Sequence, residues 1–128
     1  MDAAELKART KKFALRCMKL ADALPRTRSA EVIARQLIKC GTSVGANYRA
    51  ACRAKSRADF AFKLGIVEEE IDESAYWMEL IVESAMQPTR LVEPLRREAV
   101  ELTRIAVASI RTTRSRIANP KSAIRNPQ

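Results

Sequence analysis

The chain contains no histidine. That absence excludes His-ligated metal sites, Ser–His nucleophile pairs and the Glu-x-x-His pairs of di-iron bundles. Cysteine is sparse: Cys17, Cys40 and Cys52 are odd in number and show no C-x-x-C spacing. They make no zinc site, and each is expected to be a buried free thiol on an apolar helical face. Aromatic residues are 5% of the chain, so recognition of single strands by stacked bases has little to work with. No apolar run approaches the roughly 18 residues that a membrane span needs, and the polar N-terminus carries no signal-peptide pattern. A cytoplasmic protein without membrane contact is expected. Glycine is also rare, at three in 128 residues. With abundant Ala, Arg, Glu and Leu, this points to an all-α protein of a single domain.

What the chain has in excess is positive charge. Twenty-four Lys and Arg stand against fifteen Asp and Glu, a net charge of +9. Such a balance suggests an acidic partner, most often nucleic acid; the rival reading is solubility alone. The charge is uneven. Residues 59 to 83 hold eight acids and a single base, Lys63.

Four helices are expected, over about 3–24, 30–55, 57–86 and 90–114. In the first, Leu6, Thr10, Phe13, Cys17, Leu20 and Leu24 recur at spacings of four and three, the seam of a packed helix. Pro25 stops it. Ser29 is placed to cap the second, whose seam is Ile33, Leu37, Cys40, Val44, Asn47, Ala51 and Ala54. Its Ala30, Ala34, Gly41, Gly45 and Cys52 form a face of small residues against which one neighbour can pack closely. Ser56-x-x-Asp59 has capping-box form and opens the third helix. That helix carries Phe60, Leu64, Val67, Ile71, Ser74, Met78, Ile81 and Ala85 inward, with Tyr76-Trp77 read as core. The fourth turns Leu95, Ala99, Leu102, Ala106 and Ile110 inward, with Pro94 near its start. Short connections between long helices predict an antiparallel up-down-up-down four-helix bundle over 1–116. Residues 117–128 are expected to be a disordered tail: Ile117-Ala118-Asn119-Pro120 recurs as Ile124-Arg125-Asn126-Pro127, and Pro after Asn breaks helix.

Two glycines four apart cost a helix in water about 2 kcal/mol against alanine. Here they belong to a longer pattern: Gly41-Thr42-Ser43-Val44-Gly45-Ala46-Asn47, then Ser56-x-x-Asp59-Phe60, Lys63-Leu64, and Glu70-x-x-Glu73-Ser74-x-Tyr76-Trp77. The run from Arg35 to Leu80 resembles the four-helix-bundle family related to proteins encoded in intervening sequences of bacterial large-subunit ribosomal RNA genes. The resemblance implies an antiparallel bundle that assembles into a cyclic homo-pentamer, with nucleic-acid binding as the suspected role. A related branch supplies the accessory protein of gene-diversifying retroelements, where a basic pentamer binds a reverse transcriptase and nucleic acid. The chain departs from the pattern at Arg49-Ala50 and at Glu68-Glu69.

Two sets of candidate residues follow. Arg35, Asn47, Glu70 and Glu73 would lie within about a turn of one another across helices two and three, as a buried polar network that fixes register or as a functional polar patch. The basic set is Lys12, Arg16 and Lys19 on helix one, Arg49, Arg53, Lys55 and Arg57 at the end of helix two and the turn, and Arg104, Arg111, Arg114 and Arg116 on helix four. Arg49, Arg53 and Arg57 are spaced by four and would form one stripe, either binding phosphates or pairing with acids such as Asp59. Without Lys121 and Arg125 of the tail the bundle carries +7, so a ring of five would present about +35. The expected function is a non-enzymatic, oligomeric protein that binds RNA or structured nucleic acid, without metal or cofactor. The alternative is an interaction scaffold, such as an accessory subunit for a reverse transcriptase.

Overall fold

The structure is a computed structural model that describes residues 1–119. It consists of α1 (Ala3–Asp22), α2 (Arg28–Cys52), α3 (Arg57–Glu83) and α4 (Thr89–Ala118), and the described residues contain no strand. Helices adjacent in sequence pack side by side; α1 and α4 meet over a shorter stretch, and the diagonal pairs do not approach. No described helix is long and apolar enough to cross a membrane.

The helix starts follow local chemistry. The Asp2 carboxylate accepts from the Glu5 N–H at 2.8 Å and begins α1. Thr27, not Ser29, caps α2, accepting from the Ala30 N–H at 3.2 Å, so the helix begins two residues before the expected position. Ser56 caps α3 through the Asp59 N–H at 3.0 Å, and the Asp59 carboxylate accepts in return from the Lys55 N–H at 3.3 Å. Pro94 lies inside α4. At the end of α3, Ala85 has a φ of 60°. The Met86 N–H then reaches the Ile81 carbonyl at 3.0 Å, a closure that glycine makes without steric cost.

One core runs the length of the bundle. Phe13, Leu37, Val44, Leu64, Ile71, Met78, Ile81, Val92 and Leu102 are all buried within it. The seams lie where the three-and-four spacing put them over most of their length; at the ends of α3, Ala61 is buried while Phe60 is half-buried and Ala85 is exposed, and one rotation occurs in α2. Between Val44 and Ala51 the inward residue is Tyr48, while Asn47 is half-buried. Both positions satisfy the spacing, and the larger ring gains more by leaving water.

The small face of α2 lies against α1. A methyl group at Gly41 would stand 2.7 Å from both Cβ and Sγ of Cys17, and one at Gly45 would stand 3.2 Å from Thr10 Oγ1. Nothing lies within 4 Å of the same position at Gly65. Cys17 and Cys40 are buried, and burial pushes their thiols up to about 12 and about 11. Cys52 is exposed, contrary to expectation, because α2 ends at that residue. Tyr76 is also exposed, at 52%, and meets half-buried Trp77 edge to face at 5.2 Å. α4 continues through Ile117 and Ala118, the first residues of the expected tail, and residues 120–128 lie outside the described residues.

Candidate nucleic-acid interface

Two grooves collect the basic residues. The first runs between α1 and α2, where Lys7 and Lys11 face Arg49 across a floor of Ala14, Gly45 and Ala46, with Thr42 at the rim, and encloses about 200 Å³. The close approach at Gly45 brings the two helices together here. The second groove, of about 280 Å³, joins the α2–α3 turn to the end of α4. Lys55, Ser56 and Arg57 line it with Phe60, Thr113 and Arg116. No carboxylate lines either groove.

Both grooves belong to the same end of the bundle. Cut at the midpoint of each helix, that half comprises residues 1–12, 40–70 and 104–119, and holds thirteen Lys and Arg against six Asp and Glu. The other half, residues 13–39 and 71–103, holds nine of each. The net charge of the described residues is therefore concentrated at one end. Ten of the thirteen cations there enter no ion pair among the described residues; the exceptions are Arg9, Lys63 and Arg104.

The expected stripe of Arg49, Arg53 and Arg57 is not one surface. α2 stops at Cys52, Arg53 is its C-cap and Arg57 is the first residue of α3. Arg49 consequently lines the α1–α2 groove, and Arg57 the groove shared with α4. Nor do these arginines pair with Asp59, which takes Lys63 instead, Nζ to Oδ2 at 3.0 Å. The Lys63 bond, with the Lys55 N–H, holds the Asp59 carboxyl below its ordinary value.

The remaining candidates separate. Arg16 and Lys19 line a third groove with Leu20, Ala23, Gln87, Leu91 and Leu95, at the opposite end of α1 from Lys7. Lys12, Arg111 and Arg114 are exposed and enter no ion pair, while Arg104 reaches Glu101 at 3.4 Å. Arg9, absent from the sequence-based set, forks onto Glu98 of α4 with Nε and Nη2 contacts of 2.7 and 2.8 Å. The Arg9 hydrogen bonds hold the Glu98 carboxyl below its ordinary range, and the charges of Lys12 and Arg16 act in the same direction.

The second set does not form a buried network within the chain. Asn47 Nδ2 donates to the Ser43 carbonyl of its own helix at 2.8 Å. Arg35 and Glu73 are exposed and Glu70 is half-buried, and no hydrogen bond joins the four residues. The rotation that buries Tyr48 carries Asn47 to the rim. The buried polar contact between α2 and α3 is a smaller one: Ser74 Oγ donates to the Glu70 carbonyl at 2.8 Å and lies 3.1 Å from Cys40 Sγ. The described residues contain no group of three His, Cys, Asp or Glu placed to hold a metal ion.

The comparisons with known proteins agree on the fold. A solved structure of a protein of unknown function from the S23 ribosomal protein family of Bacteroides thetaiotaomicron superposes with a TM-score of 0.76 at 33% identity, covering 81% of this chain and 96% of that one. No curated protein matches the chain. The family model of the 23S rRNA-intervening sequence protein matches residues 4–108, which take in all of α2 and α3 and most of α1 and α4, and the chain belongs to that family.

Proposed function

We propose that this protein binds nucleic acid through its phosphate backbone, without catalysing a reaction, and uses the basic end of the bundle to do so. The observation that carries this reading is the one-sided charge: thirteen cations against six acids at one end, nine against nine at the other. Unpaired Lys and Arg on rigid helices release condensed counterions when they meet phosphates, whatever the base sequence. Few aromatics and no base-reading motif favour RNA or structured nucleic acid recognised by charge and shape.

The reading includes an antiparallel up-down-up-down bundle that assembles as a cyclic homo-pentamer in the cytoplasm. The register of α1 and α2 supports the topology: Cys17 faces Gly41 and Thr10 faces Gly45, so position rises in one helix as it falls in the other. In a ring the basic end would be repeated around the axis. Light scattering at micromolar concentration is expected to report about five times 14.3 kDa; a monomer would remove the ring from the reading.

Binding is tested by titrating labelled RNA and an unrelated DNA duplex at several salt concentrations. Affinity should fall steeply and similarly for both, by roughly 0.7 to 0.9 logarithmic units per tenfold rise in salt for each phosphate neutralised. Binding indifferent to salt would contradict the reading. A second reading, a scaffold for a protein such as a reverse transcriptase, draws on the acidic α3, where Phe62 and Tyr76 are 68% and 52% exposed. It predicts that Phe62→Ser with Tyr76→Ser abolishes the partner complex and leaves nucleic-acid affinity unchanged.

A further inference from the structure

The two basic grooves are not equivalent. At the α2–α3 turn, the Asp59 carboxylate accepts the Lys55 N–H and holds Lys63, placing a negative charge beside the cations. Between α1 and α2, Lys7, Lys11 and Arg49 converge with no carboxylate in the lining and no ion pair for any of the three. Lys7 and Lys11 are one turn apart on α1, so both ammonium groups project from the same wall. Arg49 approaches from the opposite wall.

The floor is made of the smallest side chains. Gly45 sits close against Thr10, but Ala46 is exposed and has no packing reason to be small. Any longer side chain at position 46 would fill the groove. A cleft with three convergent cations on two walls and a floor without side-chain bulk suits a compact tetrahedral anion.

We infer that this groove is a phosphodiester seat, in which Arg49 grips two oxygens of one phosphate while Lys7 and Lys11 neutralise the same group, or its neighbour along the strand, from the α1 wall. The planar guanidinium fork matches paired phosphate oxygens, whereas the lysines act as point charges. This assignment rests on the nucleic-acid reading and narrows it to one place. The second groove then adds diffuse charge and not a defined contact.

The test uses the full chain and measures anisotropy with a labelled 20-nucleotide RNA and a 20-base-pair DNA duplex. A triple variant, Lys7→Gln, Lys11→Gln and Arg49→Gln, is set against the matched triple Lys55→Gln, Arg57→Gln and Arg116→Gln. The groove triple should weaken both ligands about tenfold or more and lower the salt slope by about one to two; the matched triple should cost about threefold. Arg49→Lys keeps the charge and loses the fork, and should fall between parent and triple. Ala46→Glu, at an exposed position, gives the same loss from a fold that does not depend on the three cations. Circular dichroism melts confirm that each variant is folded.

If the parent binds with a steep salt slope but the groove triple and Ala46→Glu bind within twofold of it, the seat is wrong and the general reading stands. If the parent binds neither ligand, both fall. Binding to phosphatidylserine vesicles with no binding to RNA or duplex would reassign the cations to a lipid headgroup and overturn the proposal.

Discussion

The two ends of this bundle are built on the same core and differ in charge. At one end, cations outnumber acids by about two to one, and most of them have no partner. At the other, the numbers are equal. Apolar residues continue through both halves without interruption, from Leu64 and Leu102 to Met78 and Val92. Stability and charge are therefore separable here. Apart from Arg9, the cations of the basic half make no ion pair between helices among the described residues, and exposed like charges repel one another. A surface of this kind attracts anions.

The separation supposes that the core alone holds the two ends in register, and glycine substitutions can break that supposition. Gly41→Ala drives a methyl group into Cys17 and should destabilise the fold by about 1–3 kcal/mol. Gly45→Ala meets the Thr10 hydroxyl less closely and should be near neutral, the strain offset by the helix preference of alanine. Gly65→Ala meets nothing and should stabilise by about 1 kcal/mol. Urea unfolding of the three variants reads the order directly. Equal effects at Gly41 and Gly65 would mean that α1 and α2 are not in close contact.

A smaller effect is expected where the two halves are joined by charge. The Arg9–Glu98 fork ties a cation of the basic half to a carboxylate of the other, and it is the one ion pair between helices among the described residues. The Glu98 carboxyl is lowered by Arg9, so its stabilisation is fully present above the ordinary glutamate range and is lost as pH falls through the lowered value. Glu98→Gln should cost about 1 kcal/mol at pH 7, and that cost should shrink in acid. Urea midpoints at pH 7 and pH 3 provide the check; a cost unchanged at pH 3 would show that packing, and not charge, joins the halves.

The smallest effect belongs to the neutral end. Ala85 holds a left-handed backbone at the close of α3. Ala85→Gly should relieve it and gain roughly 0.5–1 kcal/mol, with nucleic-acid affinity unchanged. A change in affinity there would show that the ends communicate.

The seams were legible because their spacing is regular, and Phe13, Leu37, Ile71 and Leu102 have no rival for the inward position. Asn47 and Tyr48 were not, because both fit the three-and-four spacing and only three-dimensional packing decides between them. The end of α2 was misplaced for a related reason: Arg53, Ala54 and Lys55 are all good helix formers, so nothing in the sequence stops the helix at Cys52. That error of three residues joined Arg49, Arg53 and Arg57 into a stripe that the fold divides. The grooves themselves were out of reach, since Lys7 and Arg49, and Arg57 and Arg116, come to line the same groove only through packing between segments far apart in the chain. Arg9 and Glu98, 89 residues apart, gave no local signal at all.

If the unpaired charge at one end binds phosphate, as proposed, and the charge at the other does not, the two ends must differ in what they lose with their cations. This is tested by removing three positive charges from each end in turn and measuring affinity for one RNA and one duplex at two salt concentrations. Lys7→Gln, Lys11→Gln and Arg49→Gln change the basic end; Arg28→Gln, Arg35→Gln and Lys39→Gln change the other by the same amount. The expected loss is roughly tenfold to a hundredfold for the first set, equal for both ligands and with a flatter salt slope, and less than about threefold for the second. Equal losses from the two sets would contradict the proposal, because binding would then follow net charge and not its placement.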